Sequence, residues 1–148
     1  MTDRPSNQNP TAVELLNQAL ELEYTLIIHY PMLAGAIQDE ETRGLVLKLG
    51  TDSVHHADVV ASAITRLGGV PRWQVEPFPA DDDLINVFKQ QLQKEQLALA
   101  LHRQNAALAQ DKALKDSFAG LQKDEQTHIQ LVETILERLA RESRQSLT

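Results

Sequence analysis

The chain has 148 residues, with 14 Lys or Arg against 21 Asp or Glu and a formal net charge of −7. This length suits a single domain, and an acidic chain is a poor partner for nucleic acid. Because there is no Cys, disulfides and thiolate zinc sites are excluded, and any metal must be held by oxygen and nitrogen ligands. No apolar run approaches the roughly 20 residues that span a bilayer. We therefore expect a cytoplasmic protein with no nucleic-acid or membrane partner.

Three segments divide the chain by composition. Residues 1–10 are polar and predict a disordered N-terminal lead, residues 11–142 carry the apolar pattern of one domain, and residues 143–148 predict a short C-terminal tail. Within the domain, apolar residues recur with the helical period of about 3.6 residues rather than the alternation of strands. The domain is therefore predicted to be all-α.

Two helices are predicted in the first half of the domain. Thr11 is followed three residues later by a Glu, as in a capping box, and predicts a helix over residues 11–38. A second helix is predicted over residues 39–67. It ends at Gly68 and Gly69, because glycine favours the left-handed backbone found at helix ends.

An extended crossover and two further helices follow. Residues 69–82 contain three prolines and no helical period, and at about 3.3 Å per residue they can travel the length of a bundle. Asp81, Asp82 and Asp83 offer N-caps for a third helix, and a fourth is predicted over about residues 111–141. Two helical hairpins joined by a long crossover predict a four-helix bundle.

Each predicted helix carries an ionisable residue where its apolar stripe should be buried. Several carboxylates in one core repel one another unless cations are present. Bundles that bind two iron or manganese ions place one Glu on each of two helices and a Glu-x-x-His pair on each of the others, and such ligands suit these metals. The candidate metal ligands are Glu23, Asp52, His56, Glu95, Glu125 and His128.

Several motifs together resemble the bacterioferritins of the ferritin-like superfamily, from about residue 14 to residue 140. They are the segment from Leu16 through Glu23 to Tyr30, the triplet His56-Ala57-Asp58, the helix end Leu67-Gly68-Gly69-Val70-Pro71, Leu92-x-x-Glu95 and Asp124-Glu125-x-x-His128-Ile129. The resemblance implies a ferritin-like bundle whose metal ligands include Glu23, His56, Glu95, Glu125 and His128. It also implies that Tyr30 is a tyrosine of the catalytic site.

The chain departs from the bacterioferritin pattern on the second helix. The family has a bridging carboxylate three residues before the helix's histidine, and Ser53 occupies that position here. A neutral hydroxyl is a poor replacement, so the neighbouring Asp52 is the candidate for the missing ligand. His55 lies three residues after Asp52, which is the spacing of a Glu-x-x-His pair, but a histidine on the helix surface is the simpler interpretation. His102, two turns after Glu95, is either an accessory residue of the site or a histidine of the core.

Haem and a large storage shell are not expected. The family's haem ligand is a Met two residues before the histidine of the second helix, and Val54 stands there. Few residues follow His128, which leaves little chain for the fifth helix that supports the family's shell. We expect a homo-oligomer, at least a dimer.

The leading functional prediction is a non-haem di-metal protein, with iron or manganese, that binds Fe(II) and oxidises it with dioxygen or peroxide as a ferroxidase. Two alternatives use the same bundle, namely a di-metal oxidase acting on a small organic substrate and a metal-free helical interaction module held by a polar network. A DNA-protecting miniferritin is disfavoured, because Arg4 is the only base in the N-terminal lead.

Overall fold

The structure, a computed structural model, describes residues 10–146. These residues form four helices and no strand, which confirms the predicted all-α bundle: α1 (Pro10–Ala34), α2 (Glu40–Arg66), α3 (Leu84–Leu108) and α4 (Lys112–Ser146). The predicted N-terminal lead lies outside the described residues, apart from Pro10 at the start of α1. Helix α4 continues through residues 143–146, where the sequence predicts a tail.

Aspartates begin two of the helices. Asp39 accepts a hydrogen bond from the backbone N–H of Thr42 at 2.9 Å, and Asp83 accepts one from the backbone N–H of Ile85 at 2.9 Å. These bonds satisfy backbone donors that have no partner within the helix. At the other end of α2, Gly68 has a φ of 83°, as expected of a glycine that ends a helix.

The crossover, residues 69–83, lies along α1. The backbone N–H of Glu76 donates to Thr25 Oγ1 at 2.9 Å, and the Glu76 carbonyl oxygen lies 3.0 Å from His29 Nε2. The ring of Phe78 meets His29 edge to face, with the ring centroids 5.2 Å apart. His29 therefore anchors the crossover to α1.

The four helices pack as two hairpins. Helix α1 pairs with α2 and α3 pairs with α4, while α1 also packs on α3 and α2 on α4. Two apolar layers fill the core, one around Leu20 and Phe118 and the other around Leu26 and Phe88. Buried ionisable side chains lie between these layers and are shielded by them from water. Within the described residues, no helix combines the length and the apolarity needed to cross a membrane.

Candidate metal centre

All four helices contribute buried ionisable side chains to the middle of the bundle. Each of these residues has at most 1% of its surface exposed: Glu23 on α1, His56 on α2, Glu95 and His102 on α3, and Glu125 and His128 on α4. Five of the six are ligands predicted from the sequence. Their positions on the inward faces of the helices explain why they interrupt the apolar stripes.

The first cluster joins Glu23, His56, His102 and Glu125, which can each direct one ligand atom to a common point. The Nδ1 atom of His56 lies 3.0 Å from Glu125 Oε1 and 3.6 Å from Glu23 Oε1. On the other side, His102 Nε2 lies 3.0 Å from Glu23 Oε2 and 3.7 Å from Glu125 Oε1. All the ligand atoms of the group are within 4.8 Å of one another.

The second cluster joins Glu95, Glu125 and His128. His128 Nδ1 lies 3.4 Å from Glu95 Oε2 and 3.7 Å from Glu125 Oε2. The hydroxyl of Tyr30 donates a hydrogen bond to Glu95 Oε2 at 2.9 Å. Tyr30, predicted to be a catalytic-site residue, therefore reaches the cluster through Glu95.

Glu125 belongs to both clusters. Its Oε1 faces His56 and His102, whereas its Oε2 faces His128. A carboxylate with one oxygen directed to each of two sites is the geometry of a bridging metal ligand.

Two aspartates hold the outer nitrogens of the histidines. The Nε2 of His56 donates to Asp124 at 3.1 Å, and the Nε2 of His128 donates to Asp52 at 3.1 Å. An Nε2–H held in this way leaves Nδ1 free to act as the metal ligand, and carboxylates commonly orient ligating histidines so. Both aspartates are partly exposed, at 51% for Asp124 and 32% for Asp52.

The structure does not bring Asp52 to the position that the sequence proposed for it. Its Oδ2 bonds to the outer nitrogen of His128 and to Lys48, so it is not a member of either cluster. Ser53 is the inward residue, but its hydroxyl donates to the carbonyl oxygen of Leu49 at 3.0 Å. Asp52 thus corresponds to Asp124 in position, and Ser53 corresponds to Glu125.

From the sequence, His102 could be either a histidine of the core or an accessory residue of the metal site. Its spacing of two turns from Glu95 places it on the inward face, but a core histidine would have the same spacing. In the structure, the Nε2 atom of His102 contacts Glu23 on α1, and this contact places His102 in the cluster of ionisable residues.

The electrostatics of the centre couple carboxylates to imidazoles. Burial lowers the pKa of each histidine, but the adjacent carboxylates of Glu125 and of Glu23 or Glu95 outweigh burial, and the pKa values rise to about 10 for His56, about 9 for His102 and about 11 for His128. Burial, together with the neighbouring Glu125 charge, raises the pKa of Glu95 to about 8. Each imidazole can therefore hold a proton opposite a carboxylate at neutral pH.

Several ligand atoms are buried without a hydrogen-bond partner. They are Glu23 Oε1, Glu95 Oε1, Glu125 Oε2 and His128 Nδ1. Buried polar atoms are normally satisfied, and an inward group of such oxygens and a nitrogen fits a cation of the iron, manganese or zinc type. The donor set therefore suits a metal ion.

Comparison with known proteins gives the family. The ferritin-like domain model matches residues 13–142. The chain belongs to the ferritin-like domain family. The bacterioferritin of Brucella melitensis biotype 1 is 30% identical to this ferritin-like chain over 139 residues, which cover 89% of the chain and 86% of that protein. The resemblance to bacterioferritins is thereby confirmed.

Solved structures share the ferritin-like fold. The bacterioferritin of Rhodobacter capsulatus superposes with a TM-score of 0.75 at 25% identity, covering 90% of this chain and 88% of that one. A ferritin-like diiron-carboxylate protein from Bacillus anthracis gives 0.76 at 20% identity, with 86% and 96% covered. The bacterioferritin-related dodecameric thioferritin of Bacteroides fragilis gives 0.78 at 21% identity, with 94% and 92% covered.

Asn substitutions at the two aspartates test their roles. Asp52→Asn and Asp124→Asn should each weaken metal affinity by about 10- to 100-fold without changing the number of ions bound, because both aspartates orient a histidine rather than bind metal. Competition with a coloured chelator measures the affinity, and elemental analysis gives the stoichiometry. The exposed Asp58 provides the control, as Asp58→Asn. Loss of one ion in Asp52→Asn alone would show that Asp52 is a ligand after all.

The raised histidine pKa values predict how the chelated protein responds to pH. A group whose pKa is raised by folding contributes stability below its unfolded pKa and loses it as pH rises through the folded value. For the three histidines this window runs from about 6.5 to between 9 and 11, and Glu95 acts in the same direction between 4.5 and about 8. In the presence of EDTA, the free energy of unfolding in urea should therefore fall from neutral to alkaline pH. His56→Gln should flatten this dependence, whereas substitution of the exposed His55 should leave it unchanged.

Proposed function

We propose that the chain binds a pair of divalent metal ions in the middle of its bundle and oxidises Fe(II) there, without haem. The observation that supports this most directly is the orientation of Glu125, which directs one oxygen to each cluster. Iron is the metal favoured by the carboxylate and imidazole donors, and manganese would suit the same ligands. Bacterioferritins and a diiron-carboxylate protein among the similar proteins agree with this proposal.

A bound pair of Fe(II) ions would supply two electrons, one from each ion, which with two protons reduce dioxygen to hydrogen peroxide or hydrogen peroxide to two molecules of water. The residues of the chain prepare this reaction. Glu23, Glu95 and Glu125 offset the positive charge of the ions, and the burial of the site keeps bulk water away from it. Before metal binds, protons on the imidazoles offset the same carboxylates, so metal binding must release protons.

Tyr30 acts in this proposal as a positioning residue. Its hydroxyl donates to Glu95 Oε2, which fixes the rotamer of a carboxylate that faces the second cluster. Burial and the nearby Glu95 charge raise the pKa of Tyr30 well above 10. The tyrosine therefore stays protonated and keeps its hydrogen bond at neutral pH.

The predicted alternatives receive less support from the geometry. A cavity of about 300 Å³ at one end of the bundle is lined by Leu16, Asn105, Phe118 and neighbouring residues, but by no member of either cluster. It therefore gives no specific reason to place a small organic substrate at the metals. A metal-free interaction module would leave one oxygen of each of Glu23, Glu95 and Glu125 without a hydrogen bond.

The proposal also includes the absence of haem and the formation of a homo-oligomer. Val54, at the position of the haem-ligating Met, is 54% exposed and has no ligand atom, which supports a haem-free protein. The dodecameric assembly named for the Bacteroides fragilis relative supports a homo-oligomer here. A cytoplasmic location would suit such an iron-handling protein.

Removal of the shared carboxylate tests the proposed function. Glu125→Gln should lower the affinity for both ions by at least about 100-fold, since even the loss of a group that only orients a ligand costs 10- to 100-fold. Anaerobic Fe(II) titration followed by elemental analysis measures the binding. Glu133→Gln, at an exposed position of the same helix, is the matched control. Wild-type protein that binds no metal, or a Glu125→Gln protein with full stoichiometry, would contradict the proposal.

A second prediction separates positioning from binding. Tyr30→Phe should keep both ions but slow Fe(II) oxidation by about tenfold, because Glu95 loses the hydrogen bond that orients it. Stopped-flow absorbance gives kcat and KM for Fe(II), and the effect should fall mainly on kcat. Tyr24→Phe is the control, since Tyr24 is a partly buried tyrosine of the same helix that packs on Trp73. Equal rates in Tyr30→Phe and wild type would remove Tyr30 from the mechanism.

A further inference from the structure

The centre lacks a carboxylate on the inward face of α2. Ser53 occupies the inward position of α2 that mirrors Glu125 on α4, and its hydroxyl is bonded within its own helix. The side chain that closes the first cluster is instead His102 from α3, which is fully buried. Its Nε2 lies 3.0 Å from Glu23 and 3.7 Å from Glu125.

The distances in the first cluster match a small coordination polyhedron. In a tetrahedral site with metal–nitrogen and metal–oxygen bonds of about 2.0 to 2.2 Å, adjacent ligand atoms are about 3.3 to 3.6 Å apart. His56 Nδ1 lies 3.6 Å from Glu23 Oε1 and 3.0 Å from Glu125 Oε1, and His102 Nε2 lies 3.0 Å from Glu23 Oε2 and 3.7 Å from Glu125 Oε1. Two imidazoles and two carboxylates thus each bring one ligand atom to within 4.8 Å of the others.

We propose that His102 is a metal ligand that replaces the carboxylate missing at Ser53, so that the two metal positions are unequal. The inference rests on the proposed di-metal function and deepens it. The first position has four protein ligands, namely Glu23, His56, His102 and Glu125, and binds one divalent cation tightly by itself. The second has only Glu95, Glu125 and His128, and it fills after the first.

The charge of the site also favours tighter binding of the first cation than of the second. A neutral imidazole in place of a carboxylate leaves three carboxylates, of formal charge −3, opposite two divalent cations of total charge +4. Among the described residues, Glu125 is then the only carboxylate shared between the two positions. Repulsion between the cations is consequently less fully offset than in a four-carboxylate site, which weakens the second ion more than the first.

The type of cation follows from the donor set. Two imidazole nitrogens with two carboxylate oxygens in a compact group suit Zn²⁺ and Co²⁺ as well as Fe(II). The first position should therefore accept a single Zn²⁺ that competes with the first Fe(II), while the second position stays open to another ion.

Zn²⁺ titration against a competing chelator tests the proposal. Wild-type protein should bind the first Zn²⁺ at least about tenfold more tightly than the second. His102→Gln should weaken the first ion by about tenfold or more, and Glu95→Gln should weaken only the second. The exposed neighbour of His56 supplies the control, as His55→Gln, and Ser53→Glu added to His102→Gln should restore tight binding.

A measurement on the wild-type protein tests the role of His102 without depending on whether a variant folds. X-ray absorption at the zinc edge, with one Zn²⁺ per chain, should show two imidazole ligands from His56 and His102. A single imidazole, or a His102→Gln protein that titrates like wild type, would overturn the role of His102 and leave the di-metal function intact. Absence of any bound metal in the wild type would overturn both.

Discussion

Burial of three carboxylates at one level of the bundle is the constraint on which the rest of this structure depends. Glu23, Glu95 and Glu125 are each fully buried, and charges so placed are costly unless positive charge lies beside them. No Lys or Arg is buried within the described part of the chain. Histidines are therefore the only side chains that can supply this charge from within, and all three that lie in the core middle face a carboxylate.

The polar network and the proposed metal centre would be two charge states of the same group of side chains. With protons on their rings, His56, His102 and His128 face Glu23 and Glu125 as ion pairs, as their raised pKa values indicate, while the raised pKa of Glu95, about 8, keeps a proton on that carboxyl group at neutral pH. In the proposed function, the same nitrogens and oxygens would bind metal once these rings lose a proton. The fold could then form before metal arrives, and metal binding would exchange protons for a cation with little need to rearrange helices.

Helical periodicity in the sequence predicts which residues face the core, but it does not predict which side chains of different helices contact one another. Interrupted apolar stripes were sufficient to predict Glu23, Glu95 and Glu125 as inward residues. Adjacent residues in a helix differ by about 100° in direction, so spacing alone could not show whether Asp52 would turn inward. Its orientation depends on His128 of another helix. For His102 the ambiguity was similar, because core and site share the same helix face, and only the distance to Glu23 separates them.

The reciprocal bonds from Asp52 to His128 and from Asp124 to His56 also have a mechanical consequence. They join α2 and α4, the pair of packed helices with the least extensive interface, and the two imidazole rings stack between them with centroids 5.1 Å apart. A slide of one helix past the other by a single turn, about 5.4 Å, would break both bonds at once. The two aspartates thus fix the position of α2 relative to α4 along the axis of the bundle.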